Sequence, residues 1–189
     1  MSDGDFLNAR RKALEDSFFA QRDQELLKQL HERLQEATQR EALAMVSGIE
    51  DEEVLDFLLR LNLSSETAAA LTLVPLIEVA WADGNISDEE RQAILDAASN
   101  HGVADDAPCC QLLESWLTAK PDPRLLRAWE QYVEALRGTL SADDLSTLAD
   151  KVLGHAEAVA SAAGGVLGIG KVSPSEKKVL GELRRVLQP

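Results

Sequence analysis

The chain has 189 residues, 45% of them apolar and only 4% aromatic, with a formal net charge of −14. That length and apolar content give one ordinary domain plus an appendage and exclude wholesale disorder. The charge excludes nucleic acid as a partner, since phosphate binding needs a basic surface, and it disfavours anionic lipid headgroups for the same reason.

Leu and Ala dominate the apolar set, while β-branched runs and alternating strand patterns are scarce, so the composition is that of packed helices. The charge is uneven. Residues 1–45 hold 7 Lys/Arg and 9 Asp/Glu, whereas residues 46–189 hold 12 and 24. Cations and basic protein surfaces are therefore the electrostatically sensible partners. The start, Met1-Ser2-Asp3-Gly4-Asp5, has no basic and apolar signal region, and no apolar run is long enough to span a bilayer. A cytoplasmic protein without membrane insertion is expected.

Residues 6–45 read as one or two long helices. Leu27, Leu30, Leu34 and Ala37 are spaced 3-4-3 in a narrow stripe among charged residues, preceded by Phe18 and Phe19. Such an arm packs on its own domain, pairs with a second copy, or contacts a partner through Phe18, Leu27, Leu30 and Leu34. Ser47-Gly48 breaks the pattern, and Glu50-Asp51-Glu52-Glu53 supplies acids to the N-terminus of a short helix ending near Leu61. A helix capped by Ser64 is predicted from about Ser65 to Trp81. It is nearly apolar all round, with Pro75 inside it as a kink or a split.

Further helices are predicted over Asp88–Asn100, from Ala107-Pro108 through Leu117, over Arg124–Leu136, from Ser141 to about Ala163, and over Pro174–Leu187. Gly102 and Gly138 act as stops, Pro121 and Pro123 as punctuation, and Ser141 with Asp144 as a capping pair. Cys109 and Cys110, the only cysteines, are adjacent, which suits two reduced thiols on a helix rather than a disulfide or a zinc site.

Two stretches repeat each other. In each, a helix of small residues ends at a Gly and the next helix opens with Ser-x-x-Glu: Gly84 then Ser87 and Glu90, Gly164 then Ser173 and Glu176. That spacing is a capping box, in which the Ser oxygen and the Glu carboxylate satisfy backbone N–H groups. The second copy carries an insertion from Gly165 to Gly170.

Asp83, Asn85, Ser87 and Asp88 invite comparison with a calcium loop, but an EF-hand from Asp83 needs Gly where Asp88 stands and Glu where Ile94 stands. A tight Asp-Gly turn before a capped helix is the simpler reading, with a weak oxygen-ligand site for Ca²⁺ or Mg²⁺ on Asp83, Asp88 and Glu90 as the alternative. Gly165 to Lys171 matches the front of a phosphate-binding loop. However, Val172 replaces the hydroxyl that such a loop gives to Mg²⁺, and the segment follows a helix rather than a strand. His31, His101 and His155 have no ligand-spaced neighbours, and no Ser sits in a nucleophile elbow.

In Ala80, Asp83, Gly84 and Glu90, and again in Ala160, Gly164 and Glu176, the chain resembles the TerB-like family over about residues 64–189. Ala163 departs from the pattern, standing where the second half would carry its acid. The resemblance implies an all-α domain of two similar halves, an acidic cluster for a divalent cation and a role in stress-response assemblies at the inner membrane. The arm's Lys12-Ala13-Leu14-Glu15, Phe18 and Asp23-Gln24-Glu25-Leu26 resemble the start of the zeta-type inhibitors of bacterial ATP synthase, which implies a regulatory helix that inserts into a partner.

The expectation is an all-α, pseudo-symmetric two-half helical bundle (residues 47–189) with an N-terminal helical arm (residues 1–46). Its function would be non-enzymatic: an interaction or scaffolding module with a protein partner or a second copy. The alternatives are a divalent-cation sensor or an inhibitor-like regulator.

Overall fold

In the computed structural model, residues 25, 28–30, 33–100, 103, 106–162 and 172–188 are described. Phe18, Leu27, His31, His101 and the Gly165–Gly170 insertion lie outside them. The described residues are helical with no strand. The chain divides into two units, Met1–Glu41 and Ala42–Pro189. Residues 33–47 form helix α1, whose last turns belong to the larger unit, because Leu43 and Ser47 are buried there together with Ile49.

The larger unit continues with α2 (Glu52–Arg60), a 3-10 helix (Ala68–Leu73), α3 (Val74–Ala80), α4 (Asp88–Asn100), α5 (Ala107–Thr118), α6 (Arg124–Arg137), α7 (Ala142–Ala162) and α8 (Pro174–Leu187). Local chemistry sets most of the starts. Asp51 caps α2 by accepting from the Glu53 and Val54 N–H groups, with Glu52 and Glu53 in the first turn and Arg60 in the last, matching the helix dipole. Asp106 accepts from the Cys109 N–H at the start of α5. Asp122 accepts from the Arg124 backbone N–H at 2.9 Å and is gripped by the Arg124 guanidinium, whose hydrogen bonds hold its carboxyl down to about 2. That guanidinium also lies 4.3 Å from the centre of the Phe57 ring, which ties the start of α6 to α2.

The predicted helix from Ser65 to Trp81 is two elements. Pro75 sits in the first turn of α3, where its missing N–H costs nothing, and the residues before it wind as a 3-10 helix. Ser64 is no helix cap: its hydroxyl accepts from the Glu66 N–H, while the Thr67 hydroxyl accepts from the Ser64 N–H in a local turn. Burial follows the expectation. Leu71, Leu73, Leu76, Ile77 and Val79 are all in the core. Every residue of α3 except Glu78 is buried, and the helix packs against α4, α6, α7, α8 and the 3-10 segment. Cys109 and Cys110 lie on α5 as thiols rather than as a disulfide, and burial pushes Cys109 above its ordinary value.

Gly48 turns the chain between α1 and α2 at φ +70°, and a Cβ there would stand 3.0 Å from the Ala135 Cβ on α6. Gly84 also has positive φ, at +102°, but nothing lies within 4 Å of its added Cβ. Both Ala substitutions should carry the left-handed backbone cost of about 1–2 kcal/mol. Gly48→Ala should lose more than Gly84→Ala in chemical denaturation, and Ala135→Gly should recover only the steric excess. Equal losses at the two positions would refute the close approach to α6.

Candidate functional site

The two repeated turns form the site that the sequence singles out. Before α4, the Ser87 N–H and hydroxyl donate to Glu90 Oε2 at 2.7 and 2.8 Å, and the Glu90 N–H returns a bond to Ser87 Oγ at 3.2 Å. Before α8, the Ser173 N–H donates to Glu176 Oε2, and the Glu176 N–H donates to Ser173 Oγ at 3.1 Å. Both expected capping boxes are therefore present with both of their bonds.

Sequence spacing does not foretell where the two boxes lie in the fold. Glu90 and Glu176 are each only 4% exposed, and they are close enough for the charge of Glu176 to act on Glu90. Asp83 acts on it as well. Burial pushes the Glu90 carboxyl above its ordinary value, the Ser87 hydrogen bonds pull it down, and the two neighbouring carboxylates push it up again.

The remaining predicted residues scatter. Asp83 is exposed and its Oδ1 accepts from the Asn85 N–H at 3.2 Å, closing the turn on itself. Asp88 is exposed in the first turn of α4 beside Glu89, where acids complement the helix dipole. Leu30 and Leu34 are exposed, while Phe18 and Leu27 fall outside the described residues. Among the described residues, no group of three or more His, Cys, Asp or Glu is arranged to hold a metal ion. His155 sits half-buried on α7.

Behind the first turn lies a set of contacts that the sequence does not announce. Trp81 Nε1 donates to the Trp116 carbonyl at 2.8 Å, and Arg91 donates to the Leu117 carbonyl at 2.8 Å, so the end of α5 is capped by residues flanking the Asp-Gly turn. Lys120 reaches back to the Trp81 carbonyl at 3.2 Å. The same ammonium offsets the burial that raises the Glu78 carboxyl. The turn is therefore clamped against the end of α5.

No family model, curated protein or solved structure matches this chain. The TerB-like resemblance accordingly rests on the motif residues themselves.

For Glu90 and Glu78 the folded-state pKa lies above the unfolded one. The stability each contributes is complete below the unfolded pKa and is lost as pH rises through the folded one. Glu90→Gln keeps an acceptor in the capping position and removes the buried charge. Its stability should therefore equal or exceed that of the wild type at neutral pH, and the gap should close on acidification towards the ordinary carboxylate range. Ser87→Ala and Ser173→Ala should each cost about 1 kcal/mol. A Glu90→Gln variant less stable than wild type at neutral pH would show that the carboxylate is favoured as an anion.

Proposed function

We propose that this chain is a non-enzymatic protein-interaction or scaffolding module, cytoplasmic and related to stress-response assemblies, whose first contact region is the apolar stripe of the N-terminal arm. The observation that carries this is the exposure of Leu30 and Leu34, 55% and 59% open, two positions that the sequence spacing assigns to one helical stripe. Single exposed leucines are ordinary, but a repeated stripe on a charged helix is the pattern by which helices dock on partners or pair. The TerB-like resemblance supports the stress-related context. The inhibitor-like resemblance of the arm supports a regulatory helix acting on a larger assembly. Among the described residues, no helix is long and apolar enough to cross a membrane.

With a photo-crosslinking residue in place of Leu34 in the full-length protein, expressed in cells, one discrete adduct should form and Leu30→Asp should abolish it. Mass spectrometry then separates the outcomes: an adduct of twice the chain mass assigns the stripe to pairing, and a foreign mass identifies the partner. No adduct from this position would refute the arm as a contact region.

A second reading, a divalent-cation sensor, draws on the like-charge crowding of Glu90 by Glu176 and Asp83, which a cation would relieve. Both capping carboxylates already accept hydrogen bonds from their own turns, so the interaction reading expects thermal unfolding in EDTA and in millimolar Ca²⁺ or Mg²⁺ to superimpose. A rise of several degrees with one cation, lost in Asp83→Ala, would establish the sensor instead.

A further inference from the structure

Helix α7 is 21 residues long, yet its buried residues, Val152, Ala156, Val159 and Ala160, all lie in its second half. The first half has an apolar side that is only partly covered: Leu145, Leu148 and Ala149 are half-exposed. With Val133 of α6, Leu153, and Leu187 at the end of α8, they line a groove of about 450 Å³ inside the larger unit. Its floor is aliphatic. Arg137, the one cation among the described lining residues, is already committed: it pairs with Glu134 at 3.0 Å and donates to the Val186 and Gln188 carbonyls, capping the end of α8. The outward charges along the first half of α7 are Asp143, Asp144 and Asp150 against a single Lys151, and Glu134 stands exposed on the α6 side. The aliphatic floor thus has Asp150 in its lining and Asp143 and Asp144 on the same half of α7, an excess of carboxylates over the single Lys151, while Glu134 is paired with Arg137.

We propose that this groove docks an amphipathic helix from a protein partner, with leucine-like side chains entering the floor and Lys or Arg flanks meeting the acidic rim. Charge complementarity selects this occupant. A second copy would bring another acidic surface onto the rim, where like charges within a Debye length of about 8 Å repel, whereas a basic flank is attracted over the same distance. This inference rests on the interaction-module reading and names the chemistry of the partner. The groove's lining does not include Leu30 or Leu34, so the two readings are tested by different substitutions.

The test uses the full-length protein and, as probe, a labelled Leu/Lys peptide of about 18 residues, long enough to form a helix with one apolar face. A peptide of the same composition, shuffled to destroy that face, is the control. In fluorescence polarisation the striped peptide should bind saturably and the shuffled one about tenfold or more weakly, a gap of about 1.4 kcal/mol. Leu148→Asp should weaken the striped peptide about tenfold, with its thermal midpoint read in parallel. Asp150→Lys is exposed, leaves the floor intact, and should weaken binding and flatten its salt dependence even if Leu148→Asp fails to fold. Leu30→Asp with Leu34→Asp should bind the probe as wild type does. Equal binding of both peptides, no binding at all, or affinity indifferent to Leu148→Asp and Asp150→Lys would overturn the proposal. So would self-association that Leu148→Asp abolishes, since that would assign the groove to a second copy.

Discussion

Helix α3 is seven residues long and buried on nearly every side, so few of its backbone groups can turn to water. A helix that short leaves a large share of its N–H and C=O groups without intrahelical partners, and each of those must be satisfied locally. At the front, the 3-10 segment runs directly into α3 and Pro75 removes one donor from the problem. At the back, the Trp81 N–H bonds to the Ile77 carbonyl, the Ala82 N–H to the Val79 carbonyl, and Lys120 covers the Trp81 carbonyl. The packing of α4, α6, α7 and α8 around α3 presupposes these ends. Fully burying one of its aliphatic side chains contributes about 1.5–3 kcal/mol, a gain that one orphaned buried carbonyl would largely cancel.

The capping boxes of α4 and α8 follow from the same constraint. Both helices must begin close to the buried core, so their first N–H groups need partners supplied from within the turn. Ser with Glu three residues later supplies two at once. The electrostatic consequence is specific to this fold. Capping by carboxylates concentrates anions where the helices start, and the charge of Glu176 bears on Glu90, so Glu90 carries its role against it. Positive helix N-termini offset part of that repulsion between two nearly buried carboxylates.

Much of this was legible from the residues because it is local. The starts of α2, α4, α5 and α8, the stop at Gly138 and the buried run around Leu76 follow from capping chemistry and spacing within a few positions. Pro75 announced a break, but whether it would bend one helix or open a new one depended on the 3-10 winding of Ala68–Leu73, which only the surrounding packing decides. Ser64 had the composition of a cap, and a competing Thr67 hydroxyl turned it into a loop residue. The meeting of Glu90 with Glu176, the clamp of Trp81 on Trp116 and the groove along α7 depend on residues far apart in the chain. No spacing rule reaches that far. The half-covered state of Leu145, Leu148 and Leu153 is likewise a property of the packing around α7, not of their spacing.

The uneven charge bears on what such a surface can do. Residues 46–189 carry twice as many acids as bases, 24 against 12, while the arm is close to balanced. An apolar surface on a neutral protein invites self-association, because nothing opposes the gain from burying it. On a strongly acidic unit the same surface meets long-range repulsion from its own copies, which slows encounter and disfavours the homotypic contact without touching the apolar floor. In the docking proposed for the α7 groove, the two properties would work as a filter. Apolar contact supplies the affinity, and the carboxylate rim rejects partners of the same sign, which is specificity obtained by penalising the wrong contact rather than by improving the right one. A charge excess serving solubility alone would have no reason to border aliphatic side chains. Here Asp150 lines the groove and Asp143 and Asp144 stand on the same half of α7, so in the proposed docking their charge would bear on whatever approaches.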